Sequence, residues 1–479
     1  MLLIDPVRML PSLLLPLVGV LVVGGFSGRS YLWAALGLVG TVVFAVVRWL
    51  TFRYDFAGDR LEIKRSLISR SVRTIPLERV RGVDVSTPPM HRLLGLAVLK
   101  IDTGASGGDG EATLDGVTLR EAERLKPILL RRAGAGAEPQ DVTREAAPEQ
   151  EPVEHVIVAV PRRWLLYGPL SGAYLFTPFA LAGGAVGLAF QWGDELGFGR
   201  NAAWTAGEWL WEHPSLLVAA AVLLVVAMPF VGGVMYAVFN WNFRLTRRDG
   251  YLVAERGLIN RRSVSLESRR VRGYEIAEGL AERWAGVARA WAIVTGLGDS
   301  QTRGQLLPVV PRPVVFNVAG DAIGPYHAPL RRHPPVARNR RLFRAIAPWL
   351  VVAAVAAALI WATASPLWWV LMVLALIMAA VGIPLGIDRY HSLGHGYDGV
   401  RLAVRSGSLR RAQAVVERRA VVGWRLRQTW FQRRAGVLTM IAGVGAGKGG
   451  YSAIDVSEAQ ATAFPSEVTP EWLAPFLDR

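Results

Sequence analysis

Two hydrophobic patterns alternate along this chain, and each predicts a different kind of element. The first is a long run without charged residues, which occurs at 9–28, 30–47, 164–193, 214–243 and 345–387. A membrane-spanning helix needs about 20 mostly apolar residues, so the first four runs each predict one span. The fifth run has the turn-like sequence ATASP (362–366) at its centre and predicts two. The pattern therefore predicts six spans in three closely spaced pairs.

The second pattern is an alternation of apolar and polar residues, and it follows each helix pair. It is clearest in DRLEIKRSLISRSVRTIPLERVRGVDV, GYLVAERGLINRRSVSLESRRVRGYEI and GVRLAVRSGSLRRAQAVVERRAVVGWRL. Short alternating runs separated by Gly, Ser and Pro are typical of antiparallel strands. We expect Ser66, Gly257 and Gly407 to mark the first hairpin turn of the three stretches. The two glycines can adopt positive φ without steric cost.

These stretches are three copies of one module. An offset of 191 residues and then of 150 aligns them without gaps and brings five identical positions together. The aligned sets are Leu61, Leu252 and Leu402; Arg70, Arg261 and Arg411; Gly82, Gly273 and Gly423; Arg92, Arg283 and Arg433; and Gly95, Gly286 and Gly436. The repeating unit is a helix pair followed by a soluble module.

Composition and charge place the chain in a membrane. The formal charge is +16, the mean hydropathy is +0.30, and there is no cysteine. A basic and hydrophobic chain is more typical of a membrane protein than of a DNA-binding protein. The absence of cysteine excludes disulfides, thiolate catalysis, Fe–S clusters and Cys-ligated zinc.

The charge distribution predicts the orientation. The expected outer loops (27–30, 191–213 and 362–366) hold two arginines and four carboxylates, so the basic residues lie on the other side. The positive-inside rule then predicts that both termini and all three modules are cytoplasmic. No Asp, Glu, Lys or Arg lies within the runs, which favours anchors over ion or proton pathways.

The three modules differ in how their ends are predicted to close. TLREAERLKPILLRR in the first copy has the apolar spacing of an amphipathic helix, and TPEWLAPFLD in the third predicts a short helix that begins at Pro470 behind a Thr469 cap. In the second copy VVPRPVVFNVAG takes the place of this pattern, so a closing helix is doubtful there. The Ala-, Pro- and Glu-rich segment 133–155 predicts a flexible linker.

The sequence PLERVRGVDV…HRLLGLAVLKIDTG resembles the bacterial pleckstrin-homology-like (PH-like) domain family. Three copies interleaved with helix pairs resemble its large membrane-bound members, which are often paired with a smaller one-module relative. The resemblance implies an α+β fold in which two antiparallel sheets are closed by a helix, and it implies no catalytic activity. The expected organisation is helix pairs at 1–51, 161–242 and 337–388, PH-like domains at 52–132, 243–336 and 389–479, and a linker at 133–160.

The Arg-x-x-Gly element is the strongest mark of the module and has two interpretations. Its arginine either faces a ligand or partner, or bonds to loop carbonyls or a carboxylate beside a turn glycine. We favour the structural interpretation. The neighbouring basic residues are candidates for lipid or partner contact, although solvated or topogenic charge also explains them; they are Arg79, Arg81, Arg269, Arg270, Arg272, Arg418 and Arg419.

Two further motifs are interpreted as structural. GVGAGKGG (443–450) lacks the spacing of a phosphate-binding loop, and the strand-like YSAIDV follows it, so we expect a hairpin loop. His391 and His395 lie four residues apart, but glycines flank His395, and we expect no metal site there. We predict no cofactor, no metal and no catalytic residues.

Together with the resemblance, the sequence predicts a membrane-anchored interaction scaffold of the bacterial inner membrane, which serves envelope maintenance and is not an enzyme. The expected partners are membrane lipids and either a smaller PH-like membrane protein or a second copy, and nucleic acid is not expected. The alternative is a protein that binds or shuttles phospholipid. An enzyme would require a convergent polar pocket, which the sequence does not reveal.

Overall fold

A computed structural model describes most of the chain outside the first helix pair and the linker. The described residues are 28–29, 31–33, 35–37, 39–40, 52–57, 60–66, 70–77, 80, 82–103, 111–134, 155–172, 174–192, 199–295, 304–363 and 365–472. They form an α+β fold of apolar helices and antiparallel sheets. Two compact units are present: one holds residues 1–153, 159–244 and 253–265, and the other holds 154–158, 245–252 and 266–479.

The first repeat lies in the first unit. Its strands are β1 (Phe52–Ala57), β2 (Arg60–Ser66), β3 (Arg70–Pro76), β4 (Gly82–Thr87), β5 (Leu96–Asp102) and β6 (Glu111–Thr118), with α1 (Pro89–Leu93) before β5 and α2 (Leu119–Gly134) after β6. The alternating pattern buries Leu61, Ile63 and Ile75, and each such side chain contributes about 1.5–3 kcal/mol. Leu125 and Leu129 of α2 are four residues apart and both buried, as expected for an amphipathic closing helix.

The second membrane segment is less regular than a simple helix pair. It contains β7 (His155–Ala159), a 3₁₀ helix (Arg162–Ser171), α3 (Thr177–Trp192), α4 (Gly199–Glu212) and α5 (Pro214–Asn240). The expected single helix over 164–193 is interrupted, because Pro169 cannot donate a backbone hydrogen bond and Gly172 turns the chain at φ 66°. The predicted outer loop at 191–213 contains the helix α4.

The second repeat has the closing helix that its sequence left in doubt. Its elements are β8 (Arg244–Arg248), β9 (Tyr251–Arg256), β10 (Arg261–Glu267), β11 (Val271–Gly279), α6 (Leu280–Trp284), β12 (Val287–Val294), β13 (Gln305–Pro311) and α7 (Arg312–Ala322). The expectation was wrong because Pro313 lies in the first turn of α7, where no backbone donor is needed. Val315, Val318, Ala319 and Ala322 then form its buried face.

The third repeat lies in the second unit. It begins with α8 (Pro335–Thr363) and α9 (Pro366–His391) and continues with β14 (Gly394–Tyr397), β15 (Arg401–Gly407), β16 (Arg410–Glu417), β17 (Val421–Arg427), α10 (Trp430–Arg434), β18 (Val437–Val444), β19 (Gly450–Ser457) and α11 (Glu458–Val468). The closing helix is α11, earlier than predicted, because Ser457 and Gln460 form a capping box. Thr469 ends α11 and precedes the helical residues 470–472.

Three of the described helices are long and apolar enough to cross a membrane: α5, α8 and α9. Small residues line the face between α8 and α9, including the buried Ala345 and Ala379. A Cβ on Gly382 would meet the backbone oxygen of Ala345 at 2.7 Å, so the two backbones approach closely, as at other membrane helix interfaces. The predicted first helix pair lies largely outside the described residues.

Neighbouring repeats share sheets. In the second unit, β11 of the second repeat pairs antiparallel with β16 of the third, which gives a six-stranded sheet in the order β13-β12-β11-β16-β15-β14. In the first unit, β4 of the first repeat lies beside β10 of the second repeat in one sheet. The remaining sheets, β1-β2-β3 and β17-β18-β19, each contain three strands.

Candidate interaction site

The signature glycines form the same turn in all three repeats. Gly95, Gly286 and Gly436 have φ values of 66°, 67° and 60°, and each follows the short helix α1, α6 or α10. No Cβ is tolerated there without backbone strain. The signature glycine is therefore a turn residue in every copy.

The signature arginine of the second repeat is bound to a carboxylate. Arg283 makes a bidentate pair with Asp388 near the end of α9, with Nη1–Oδ1 and Nη2–Oδ2 distances of 2.8 and 2.9 Å. Ser408 donates a further hydrogen bond to Oδ2 of Asp388 at 2.8 Å. A planar, two-point pair of this kind fixes geometry as well as charge. It ties the second repeat to the membrane helix that leads into the third.

The other two signature arginines have different surroundings. Nη1 of Arg92 donates to the backbone oxygen of Leu258 at 3.3 Å, in the turn between β9 and β10 of the second repeat. Arg433 of the third repeat is exposed, and no bond from its side chain is seen among the described residues. In the first two copies the arginine thus contacts the repeat that follows it in the chain or the helix leading to that repeat.

A second glycine of the signature lies where strands from adjacent repeats meet. Gly273 begins the pairing of β11 with β16 at a β-bulge, and a Cβ there would overlap the backbone oxygen of Val415. A Cβ on Gly82 would meet the backbone oxygen of Ser265, the equivalent of Val415, at 3.3 Å. Both glycines allow a neighbouring backbone to approach.

Ion pairs reinforce the junction between β11 and β16. Glu278 of β11 is buried and pairs with Arg411 of β16 and with Arg312. Glu275 accepts two hydrogen bonds from Nζ of Lys448, each 3.0 Å long. Lys448 lies in the GVGAGKGG segment, which forms the hairpin loop predicted between β18 and β19.

A buried carboxylate holds the third module to its membrane helix. Asp455 of β19 is fully buried, and its two oxygens lie 3.2 Å from Nε of Arg340 and 2.9 Å from Nη2 of Arg341, both in α8. Gln432 donates to the same carboxylate at 2.9 Å. A buried charge of this kind is stable only with such partners.

His395 pairs with a histidine that the sequence motif did not include. Its Nδ1 lies 3.1 Å from Nε2 of His333, and Nδ1 of His333 lies 2.9 Å from the backbone oxygen of Ile454. Burial lowers the pKa of His333 to about 4 and that of His395 to about 3, with His333 and Arg331 adding to the second shift. Both rings are therefore neutral at neutral pH, and no group of three metal-ligating side chains is found among the described residues.

Three of the basic residues that were candidates for lipid or partner contact form ion pairs within the chain. Arg270 pairs with Glu267, Arg418 with Glu471 and Arg419 with Glu417, at 2.6, 2.7 and 2.6 Å. Arg269 is exposed and Arg272 is half-buried. Arg79 and Arg81 lie outside the described residues.

The sequence did not reveal which carboxylates pair with Arg283 and Arg340. Asp388 is separated from Arg283 by 105 residues, and Asp455 from Arg340 by 115. One signal was present: Asp388 is the first charged residue after the uncharged run 345–387. Its position at the point where the chain leaves the membrane indicates a contact with the modules.

Comparison with known proteins also finds three repeats in the chain. A family model described as bacterial PH domain matches three times, over residues 11–133, 200–319 and 342–464. The UPF0699 transmembrane protein YdbT of Bacillus subtilis (strain 168) is 21% identical over 463 residues, which is 91% of this chain and 89% of that protein. No solved structure matches the chain.

Proposed function

This chain belongs to the bacterial PH domain family, and we propose that it is a membrane-anchored protein-interaction scaffold rather than an enzyme. The observation that carries the proposal is the way its repeats join: a strand of one module is paired along its edge by a strand of the next. Strand addition is a general mode of protein recognition because the backbone supplies the bonds. A series of such modules offers further edges to other proteins.

The proposed membrane arrangement has six spans, with both termini and all modules on the cytoplasmic side of the inner membrane. The three apolar helices among the described residues and the name of the B. subtilis relative support membrane insertion. The excess of arginine beside the runs supports the orientation.

Binding is favoured over catalysis because the most buried acidic groups are engaged in structural pairs. Asp455, Glu278 and Glu282 each form an ion pair with at least one arginine. Catalytic acids and bases need freedom to exchange protons with a substrate, and these carboxylates are held by residues of neighbouring elements instead. The proposed role is the assembly of membrane proteins that maintain the cell envelope.

Native mass spectrometry of the protein in mild detergent tests the scaffold. The protein is co-expressed with a smaller PH-like membrane protein, and a complex of defined stoichiometry is expected. Recovery of the monomer alone would contradict the proposal. Co-purified phospholipid that is lost when Arg269 and Arg272 are replaced by Ala would support the lipid-binding alternative, and a deletion strain with normal resistance to cell-wall antibiotics would contradict the envelope role.

A further inference from the structure

In the third repeat, the strand β17 lies at the edge of its sheet, and its outer edge is unpaired within the described chain. β17 pairs with β18, whereas its equivalent β11 pairs on both sides, with β12 and β16. Burial follows the pairing, because β11 is buried along most of its length whereas Val422 and Leu426 of β17 are 69% and 52% exposed. Exposed edges of this kind are templates for another strand.

The backbone of β17 keeps the geometry of a strand junction. β11 and β17 both have a bulge between their first residue and the signature glycine, Gly273 or Gly423. In β11 the glycine is required because a Cβ would overlap Val415 of the paired strand, but no described atom lies within 4 Å of a Cβ built on Gly423. The third copy therefore has the bulge and the glycine of a junction, while no strand among the described residues occupies the position that makes them necessary in β11.

The short helix α10, which follows β17, also lacks, among the described residues, the contacts that its equivalent α6 makes. In the second repeat the backbone N–H of Leu280 donates to Leu409 at 3.0 Å, and Arg283 binds Asp388. The equivalent residues of the third repeat are Trp430 and Arg433, and both are exposed, Trp430 to 60%. Tryptophan and arginine are the residues most often found at the centre of binding interfaces.

Charge defines what fits this edge. Residues 421–436 contain four arginines and no carboxylate, whereas the equivalent residues 271–286 contain three glutamates and two arginines. Glu275 is paired with Ala414 in the register of the internal junction, and the residue equivalent to Glu275 in β17 is Arg425. The strand that pairs with β17 is therefore expected to have a carboxylate where β16 has Ala414.

A second copy of this chain does not meet that requirement. Its corresponding strand is β3, and the residue that aligns with Ala414 there is Arg73. In the internal register, Arg73 of one copy would lie directly opposite Arg425 of the other. Like charges that face each other across a strand pair are destabilising.

We propose that β17 and α10 form a docking edge for the third strand of a PH-like module on a different chain, and that this strand bears a carboxylate opposite Arg425. The inference rests on the proposed scaffold function and specifies which surface performs it. The incoming strand is antiparallel to β17 and passes next to Gly423. Arg433 then faces the turn before the third strand of the incoming module or the helix that leads into that module, as Arg92 and Arg283 do within the chain.

Fluorescence anisotropy with the full-length protein in detergent tests the docking edge. The probe is a labelled, head-to-tail cyclised peptide of residues 400–417 with Ala414→Glu, which presents the outer edge of the natural partner of β11. We expect saturable binding that falls at least tenfold for Gly423→Val, because the side chain fills the space of the incoming backbone. Arg425→Glu should also weaken binding tenfold, and a probe with Ala414→Arg should restore it.

Several results would overturn the proposal. The first is absence of saturable binding to the wild type. The second is equal binding to Gly423→Val, when the unfolding temperature of this variant equals that of the wild type. The third is a wild-type oligomer that dissociates in Gly423→Val, which would make a second copy the occupant. A complex seen by native mass spectrometry that Gly423→Val leaves intact would refute this docking edge while the scaffold function stands. If the probe bound but native mass spectrometry showed no complex, the docking edge would stand and the proposed scaffold function would be contradicted.

Discussion

One arginine position in the module has three different environments. Arg92 bonds to a backbone oxygen, Arg283 binds a carboxylate, and Arg433 is exposed. The alignment identified the position and the turn glycine behind it, since both are set by residues close in sequence. It did not identify the acceptors, because Leu258 and Asp388 are brought to these arginines only by the fold. In the first two copies, the arginine makes a structural contact that also connects one repeat to the next. A role of this position in partner binding stays a prediction.

Residue-scale chemistry predicts a pH dependence of stability. His333 and His395 have folded pKa values of about 4 and 3, below the value of about 6.5 expected in the unfolded chain. The unfolded state therefore binds more protons at acidic pH, so this stability is fully present above pH 6.5 and is lost as the pH falls towards 4 and then 3. The unfolding temperature, measured by intrinsic fluorescence between pH 7.5 and 4.5, should fall less steeply for His395→Asn than for the wild type.

The exposed His327 provides the matched control for this measurement. His327→Asn should keep the pH slope of the wild type, because its ring lies at the surface. If His395→Asn and His327→Asn gave the same slope as the wild type, the buried pair would not be the source of the acid sensitivity.

The strands were easier to predict than the helices that close the modules. Period-two alternation in DRLEIKRS places the buried Leu61 and Ile63 on one face of β2, and β9 and β15 lie at the equivalent positions. The helix α7 was doubted because its first residues, RPVV, continue a β-like run, and only their position after Pro311 shows where the strand ends. The interruption near Pro169 and Gly172 was missed because the span was predicted from the absence of charge alone, and the helix-breaking residues inside the run were given no weight.

Equivalent glycines in β11 and β17 should respond differently to one methyl group. Gly273→Ala places a Cβ against the oxygen of Val415 and should destabilise the protein by about 1–3 kcal/mol, the usual cost of overpacking. Gly423→Ala meets open space and should change the stability by less than about 0.5 kcal/mol, like most surface substitutions. Thermal unfolding of both variants in the same detergent measures the difference. Equal losses would contradict the assignment of Gly273 to a strand junction.

At the scale of the whole molecule, the repeat was predictable and the joining of repeats was not. Five aligned identities were enough to define three modules, because each module is built from local strand pairs. The pairing of β11 with β16 uses backbone groups of residues more than 130 positions apart, and backbone bonds leave little trace in side-chain patterns. The ion pair between Glu278 and Arg411 was equally hidden.

The proposed orientation can be tested because the chain contains no cysteine, so a single introduced thiol reports one position. Ser365→Cys, in the turn between α8 and α9, should react with a membrane-impermeant maleimide on intact spheroplasts. Thr462→Cys, on the exposed side of α11, should react only after the membrane is permeabilised. Reaction of both thiols on intact spheroplasts would contradict a cytoplasmic location of the third module.

The shared sheets also bear on how such a chain changes in evolution. Each helix pair with its module brings one strand edge that joins the module before it and one that receives the module after it. Duplication or loss of a whole internal unit leaves both outermost edges as they were, whereas an insertion within a unit disturbs two junctions at once. Relatives of this chain are therefore expected to differ by complete units. Those with fewer units should bind partners through the strand equivalent to β17 in their last module.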